Sequence, residues 1–283
     1  MEPKSGGSLP RSACDIILIC PVGASFSSEI GALFMPFLLR YYAAFFPGMT
    51  VEVLAKPLSL KDVQSRENNF GHKQYLIGDI FTLLNTQKSV ISKLRAYSRL
   101  GVTLEDIYPG DQWNYVFGQA RPLERVGVFS FARHSPVFYN GVHATEAREL
   151  LSTSQLLGWM QTNRQTMCHE TCHMFGILHC VFWNCMMNGN NGPGDSAGAS
   201  FLCPVCLRKL LHALGGLYGR PSIQGGLSSE SSAPARRHLP RMRWRGLIPA
   251  VAPTTATPII TTAEATTAAT AATAAATAED QQH

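Results

Sequence analysis

Charge is scarce in this chain: 15% of its 283 residues are Asp, Glu, Lys or Arg, against 45% hydrophobic. That balance excludes wholesale disorder, because a chain this apolar can bury a sizeable core. The length allows one large domain or two small ones. A net charge of +5 is mild and sets no requirement for nucleic acid or an anionic membrane. Long apolar runs are missing as well; none approaches the ~18–20 residues that span a bilayer. The run Ile16 to Cys20 is preceded by Asp15 and ended by Pro21, and no basic stretch feeds it. It is too short for a signal-peptide core and reads as a buried strand. The expectation is a soluble intracellular protein, cytosolic or nuclear, with no membrane partner. No fixed period runs along the chain, which excludes collagen-like and coiled-coil architectures.

The pattern that is present begins strand–helix–strand–helix. Asp15–Cys20 is β-type, and Ser27 or Ser28 can cap a helix to about Phe46 whose apolar positions Ile30, Leu33, Phe34, Phe37, Leu38 and Tyr41 keep a helical period. Pro47-Gly48 stops it, and Met49–Leu54 reads as a second strand. Lys56–Phe70 is polar and loop-like, and His72–Leu84 is expected to be a helix with Ile77, Ile80, Phe81 and Leu84 on one face. Such a start argues for an α/β layer with parallel pairing. A further strand is expected within Ala96–Leu104, interrupted by Ser98 and Arg99, and two more over Tyr115–Gln119 and Val126–Ala132. A short helix is expected around Thr145–Leu156, then a helix carrying His169, then a closing helix over Leu207–Leu214. Residues 1–13 read as a flexible N-terminus and 14–220 as the folded domain. Residues 221–283 read as a disordered tail, because Thr and Ala dominate from Thr254 to Ala278 and leave no apolar face to bury. The arginines at 236, 237, 241, 243 and 245 lack the stacking aromatics and basic stripe of a nucleic-acid surface, so no nucleic-acid partner is expected.

Residues 169–180 carry the chemistry. His169 and His173 are four apart, so on a helix both imidazoles leave one face and two nitrogens can hold one zinc at about 2.0–2.1 Å. Glu170 stands beside the first ligand. Gly176, after one further turn, lets the backbone bend out of the helix and bring His179 back as a third ligand. Three neutral ligands leave a fourth position for a water, which zinc acidifies and Glu170 can deprotonate. A bare His-Glu-x-x-His is weak alone; fixing Gly176 and His179 at these spacings makes it specific. Met187, soon after the third histidine, suits the Met-turn beneath a zinc site, with ordinary packing as the plainer reading.

Eight cysteines are many for a chain read as intracellular. Cys14 and Cys20 lie in the first strand region; the other six fall between residues 168 and 206. Cys180 and Cys185, then Cys203-x-x-Cys206, form two pairs separated by a loop, the usual build of a closed four-thiolate zinc site. A redox dithiol or a disulfide at Cys203 and Cys206 is the alternative. Cys168 and Cys172 read as small core fillers, or as redox-sensitive thiols near the metal.

The string His169-Glu170-x-x-His173-x-x-Gly176-x-x-His179-Cys180, followed by Cys185-x-Met187 and Cys203-x-x-Cys206, resembles the signature of the archaemetzincins. Ile17–Gly23, Trp113–Ala120 and Val126–Arg133 resemble the family's first strand, edge-strand region and a stretch of its vertebrate branch, so the likeness covers about residues 14–215. It implies a compact metzincin-like α/β fold: a twisted mixed sheet backed by helices, a zinc-binding active-site helix and a C-terminal subdomain stabilised by four cysteines. It also implies two zinc ions, a catalytic one on His169, His173 and His179 and a structural one on Cys180, Cys185, Cys203 and Cys206, with Glu170 as general base and acid. The expected activity is hydrolysis of peptide bonds by a zinc metallopeptidase, on short peptides that pair with the edge strand near Tyr115–Gln119, by a monomeric protein. The rival expectation is a zinc-stabilised binding protein with little or no turnover.

Overall fold

The computed structural model describes residues 10, 14–86, 96–189 and 199–215. The tail expected over 221–283 lies outside the described residues, as does the N-terminus expected over 1–13 apart from Pro10. Among the described residues no helix is long and apolar enough to cross a membrane.

The main sheet has five strands in the order β2-β1-β5-β8-β7, where β1 is Ile16–Pro21, β2 Thr50–Val53, β5 Ala96–Thr103, β7 Gly118–Arg121 and β8 Val126–Ser130. The pairs β1–β2, β1–β5 and β5–β8 are parallel and β7–β8 is antiparallel, so the sheet is mixed. A second sheet joins β3 (Ser65–Glu67), β4 (Lys73–Leu76) and β6 (Asp106–Tyr108) in the order β3-β4-β6. Helices α1 (Glu29–Phe45), α2 (Ile77–Thr86), α3 (Ala147–Leu150), α4 (Thr153–Met174) and α5 (Pro204–Leu214) complete the domain, with short 3-10 turns between.

Every residue of β1 is buried, because both faces of the sheet are covered. Ile17 and Ile19 enter a core shared with α1, α4 and α5, while Ile16, Leu18 and Cys20 enter a second core shared with α2. The alternation follows from the two-residue period of a strand. The expected strand at Ala96–Leu104 is present as β5: Ser98 is buried within it, and Arg99 keeps its place by lying beside the Cys20 thiol and Glu124.

Several boundaries differ from expectation. The helix expected from His72 starts at Ile77, where its apolar period starts; Lys73–Leu76 instead form β4, and the preceding loop contributes β3. Both short strands are recruited by a buried polar clasp. Arg133 pairs bidentately with Asp106, Nε to Oδ1 and Nη2 to Oδ2 at 2.8 Å each. Asn68 and Gln74 donate to the same carboxylate at 2.7 and 2.9 Å. The expected strand at Tyr115–Gln119 starts only at Gly118, because the Val116 N–H donates to Ile107 of β6 at 3.1 Å and Phe117 stacks on His134 at 4.3 Å. The helix expected around Thr145–Leu156 is broken. Leu151 is extended, and Ser152 opens α4 with a capping box: its Oγ accepts from the Gln155 N–H while Gln155 Oε1 accepts from the Ser152 N–H.

Three contacts fix α4 against the sheet layer. Trp159 Nε1 donates to the Phe131 carbonyl at 2.7 Å, Tyr42 of α1 bonds Thr171 at 3.1 Å, and Phe175 stacks on Phe46 and Tyr97 at 5.4 and 4.9 Å. Thr171 and Phe175 flank the histidine-bearing turns, so the same packing that builds the core sets where the imidazoles point.

Removing the Asp106 carboxylate leaves a buried guanidinium without its counter-charge. Asp106→Ala should cost about 3–5 kcal/mol of stability, read as a lowered urea midpoint. An unchanged midpoint would contradict the role given to the clasp.

Candidate metal centres

The C-terminal half of α4 presents His169 and His173 on one face, one turn apart, as their spacing requires. The helix ends in a Schellman turn: the Gly176 N–H donates to His173 O at 2.9 Å and the Ile177 N–H to Cys172 O at 3.1 Å. Gly176 sits at φ 80°, where a Cβ is disfavoured. This turn reverses the chain and returns His179 to the face of the other two. One ring nitrogen from each of His169, His173 and His179 lies within 4.8 Å of the other two.

Backbone carbonyls decide which nitrogen faces inward. His169 Nδ1 lies 2.7 Å from Met186 O and His173 Nδ1 lies 2.6 Å from Ile177 O. A carbonyl only accepts, so each Nδ1 carries the proton and each neutral ring turns its Nε2 lone pair away from the carbonyl. Those nitrogens meet: His169 Nε2 is 3.1 Å from His173 Nε2 and 3.3 Å from His179 Nε2. Burial lowers the pKa of His169, and burial also brings that of His173 down to about 4. Both rings are therefore neutral at pH 7. A tetrahedral zinc with bonds of about 2.0–2.1 Å separates its nitrogen ligands by about 3.3 Å, so the donor set fits zinc. Glu170, half-buried on the next position of α4, has its carboxyl raised to about 7 by burial.

The four cysteines named from their spacing also converge. Cys180, Cys185, Cys203 and Cys206 are buried thiols, none in a disulfide, and their sulfurs all lie within 4.8 Å of one another. Cys180 Sγ and Cys203 Sγ are 3.9 Å apart, close to the ~3.8 Å that zinc–sulfur bonds of about 2.3 Å impose on a tetrahedron. Cys185 Sγ accepts from the N–H of Cys203 at 3.2 Å and of Met187 at 3.4 Å, and Cys203 Sγ accepts from the Cys206 N–H at 3.4 Å. Amide donors aimed at sulfur favour thiolates. Cys203 caps α5 ahead of Pro204. Burial pushes its thiol up, but the Cys206 N–H and the neighbouring thiols outweigh burial and bring it below the ordinary thiol value. This donor set too fits zinc.

Cys168 and Cys172 are fully buried on α4 within the core, Cys172 near Cys185 and Cys206, and burial raises both thiols. Met187 is buried in the same core. The group of this turn that reaches a histidine is the carbonyl of Met186, its neighbour, and a sequence motif written in side chains does not display a carbonyl. Asn188 was missed as well. It bonds both Cys180 and Cys185, and its one visible signal was a carboxamide three residues after a cysteine.

Alanine at Gly176 would have to adopt the left-handed conformation or unwind the turn that carries the Ile177 carbonyl. Gly176→Ala should cost about 1–2 kcal/mol in a denaturant titration. An unchanged stability would mean that the turn relaxes without strain.

No family model matches the sequence. The chain is 34% identical over 199 residues to archaemetzincin-2 of Macaca fascicularis, an alignment covering 64% of this chain and 54% of the relative. It is 29% identical over 228 residues to human archaemetzincin-1, covering 73% and 44%. The chain thus spans about half the length of the curated relatives it matches. Among solved structures, the archaemetzincin of Methanopyrus kandleri aligns with a TM-score of 0.49 at 22% identity, over 73% of this chain and 99% of that one. In sequence the chain is thus similar to archaemetzincins over 64% to 73% of its own length.

Proposed function

We propose that the chain is a zinc-dependent metallopeptidase that hydrolyses peptide bonds within the domain 14–220. The observation that carries this reading is the convergence of three imidazole nitrogens, two of them oriented by backbone carbonyls, with a half-buried carboxyl on the residue after His169. His169, His173 and His179 would hold a catalytic zinc, and Cys180, Cys185, Cys203 and Cys206 a structural one. When bound at the histidines, zinc supplies a Lewis acid for the scissile carbonyl and for water. Glu170 would take the proton of the attacking water and return it to the leaving amine. The Met186 and Ile177 carbonyls hold two imidazoles in the ligating tautomer throughout. Strand β7 is an outer edge of the main sheet, which suits an extended peptide added as a further strand.

Glu170→Gln separates this reading from that of a zinc-stabilised binding protein. The variant should keep the zinc content of the wild type and lose about 10²–10⁴-fold in kcat, because the base is removed without touching a ligand. Wild-type turnover in the variant, on a peptide the wild type cleaves, would sink the mechanism. No cleavage by zinc-loaded wild type across a peptide library would favour the binding protein.

A further inference from the structure

The two candidate metal sites share one loop. His179 is bonded directly to Cys180, and Met186, whose carbonyl faces His169 Nδ1, directly follows Cys185. Whatever shapes residues 180–188 therefore helps place His179 and orients the ring of His169. The sulfurs pin the loop at Cys180 and Cys185, but the stretch between them needs its own support. Asn188 supplies it. Its Nδ2 donates to the carbonyls of Cys180 at 2.6 Å and Trp183 at 2.8 Å, and its Oδ1 accepts from the Cys185 N–H at 2.8 Å. Its own N–H donates to Cys185 O at 2.9 Å, and the Cys180 N–H closes the loop on Met187 O at 2.7 Å. The clasp needs donors and an acceptor on one short side chain, which a carboxamide has and a carboxylate or hydroxyl of that reach does not match.

We propose that Asn188 is a positioning residue for the three-histidine site. By holding the Cys180–Met187 loop in one shape, it keeps His179 and the Met186 carbonyl where the imidazoles converge. Metal affinity at the histidines then depends on a side chain that is not itself a ligand. The inference rests on the three-histidine metal site proposed above, though not on peptidase activity.

The test uses the full chain loaded with zinc and titrated with a competing chelator of known zinc affinity. Asn188→Ala should weaken zinc at the histidines by about 10–100-fold while the four cysteines stay protected from alkylation. With cobalt(II) replacing zinc, the variant should change the ligand-field bands of the histidine site and leave the sulfur-to-cobalt charge-transfer bands in place. Should the alanine variant be insoluble, Asn188→Asp is read by the same criteria, since it keeps the acceptor for Cys185 and loses both donors. Histidine-site affinity within about twofold of wild type, well below the usual cost of losing an outer-shell partner, would overturn the proposal. So would freely alkylated cysteines in the variant, which would make Asn188 part of the sulfur site alone. A wild type that holds no metal at the histidines would instead remove the proposed function itself.

Discussion

The imidazole lone pairs of His169 and His173, pointed at each other from 3.1 Å, repel unless something positive lies between them. Much of the C-terminal half of this domain is arranged to hold that unfavourable geometry. Two carbonyls fix the tautomers, a left-handed glycine reverses the chain, and a buried cluster of four sulfurs anchors the segment that follows. None of these devices is needed to bury apolar surface. Together they make sense as a preorganised cation site.

The sheet layer serves this arrangement by keeping α4 still. Tyr42, Trp159 and Phe175 tie the helix to α1 and to the ends of the strands through polar and aromatic contacts. The Asp106–Arg133 clasp performs a similar task on the other flank. It joins the small sheet to the segment leading into β7, where Arg133 lies 3.8 Å over the Tyr115 ring. A family likeness over about half the length of the relatives says nothing about what their remaining residues contribute, so activity and substrate stand here on the site's geometry.

The parts legible in the sequence were those whose geometry is local. The spacing of His169 and His173 dictates a shared helix face, Gly176 dictates the reversal, and paired cysteines dictate a cluster, because each rule acts over a few residues. β1, α1 and α5 were legible for the same reason, through period and caps. What escaped was set by partners distant in sequence. Lys73–Leu76 looked like the first turn of a helix until Asp106 claimed Gln74. The edge strand lost its first residues to Ile107 and His134. Asn188 looked like one more polar loop residue, and the Met186 carbonyl that faces His169 does not show in a motif written in side chains.

The central claim is that the histidines hold a metal of their own, separate from the one suited to the cysteines. Zinc-edge X-ray absorption on the fully loaded, folded chain tests it directly. The account predicts two zinc ions per chain and two shells of neighbours, nitrogen or oxygen at about 2.0–2.1 Å and sulfur near about 2.3 Å. A folded chain with one zinc and a sulfur shell alone would contradict it.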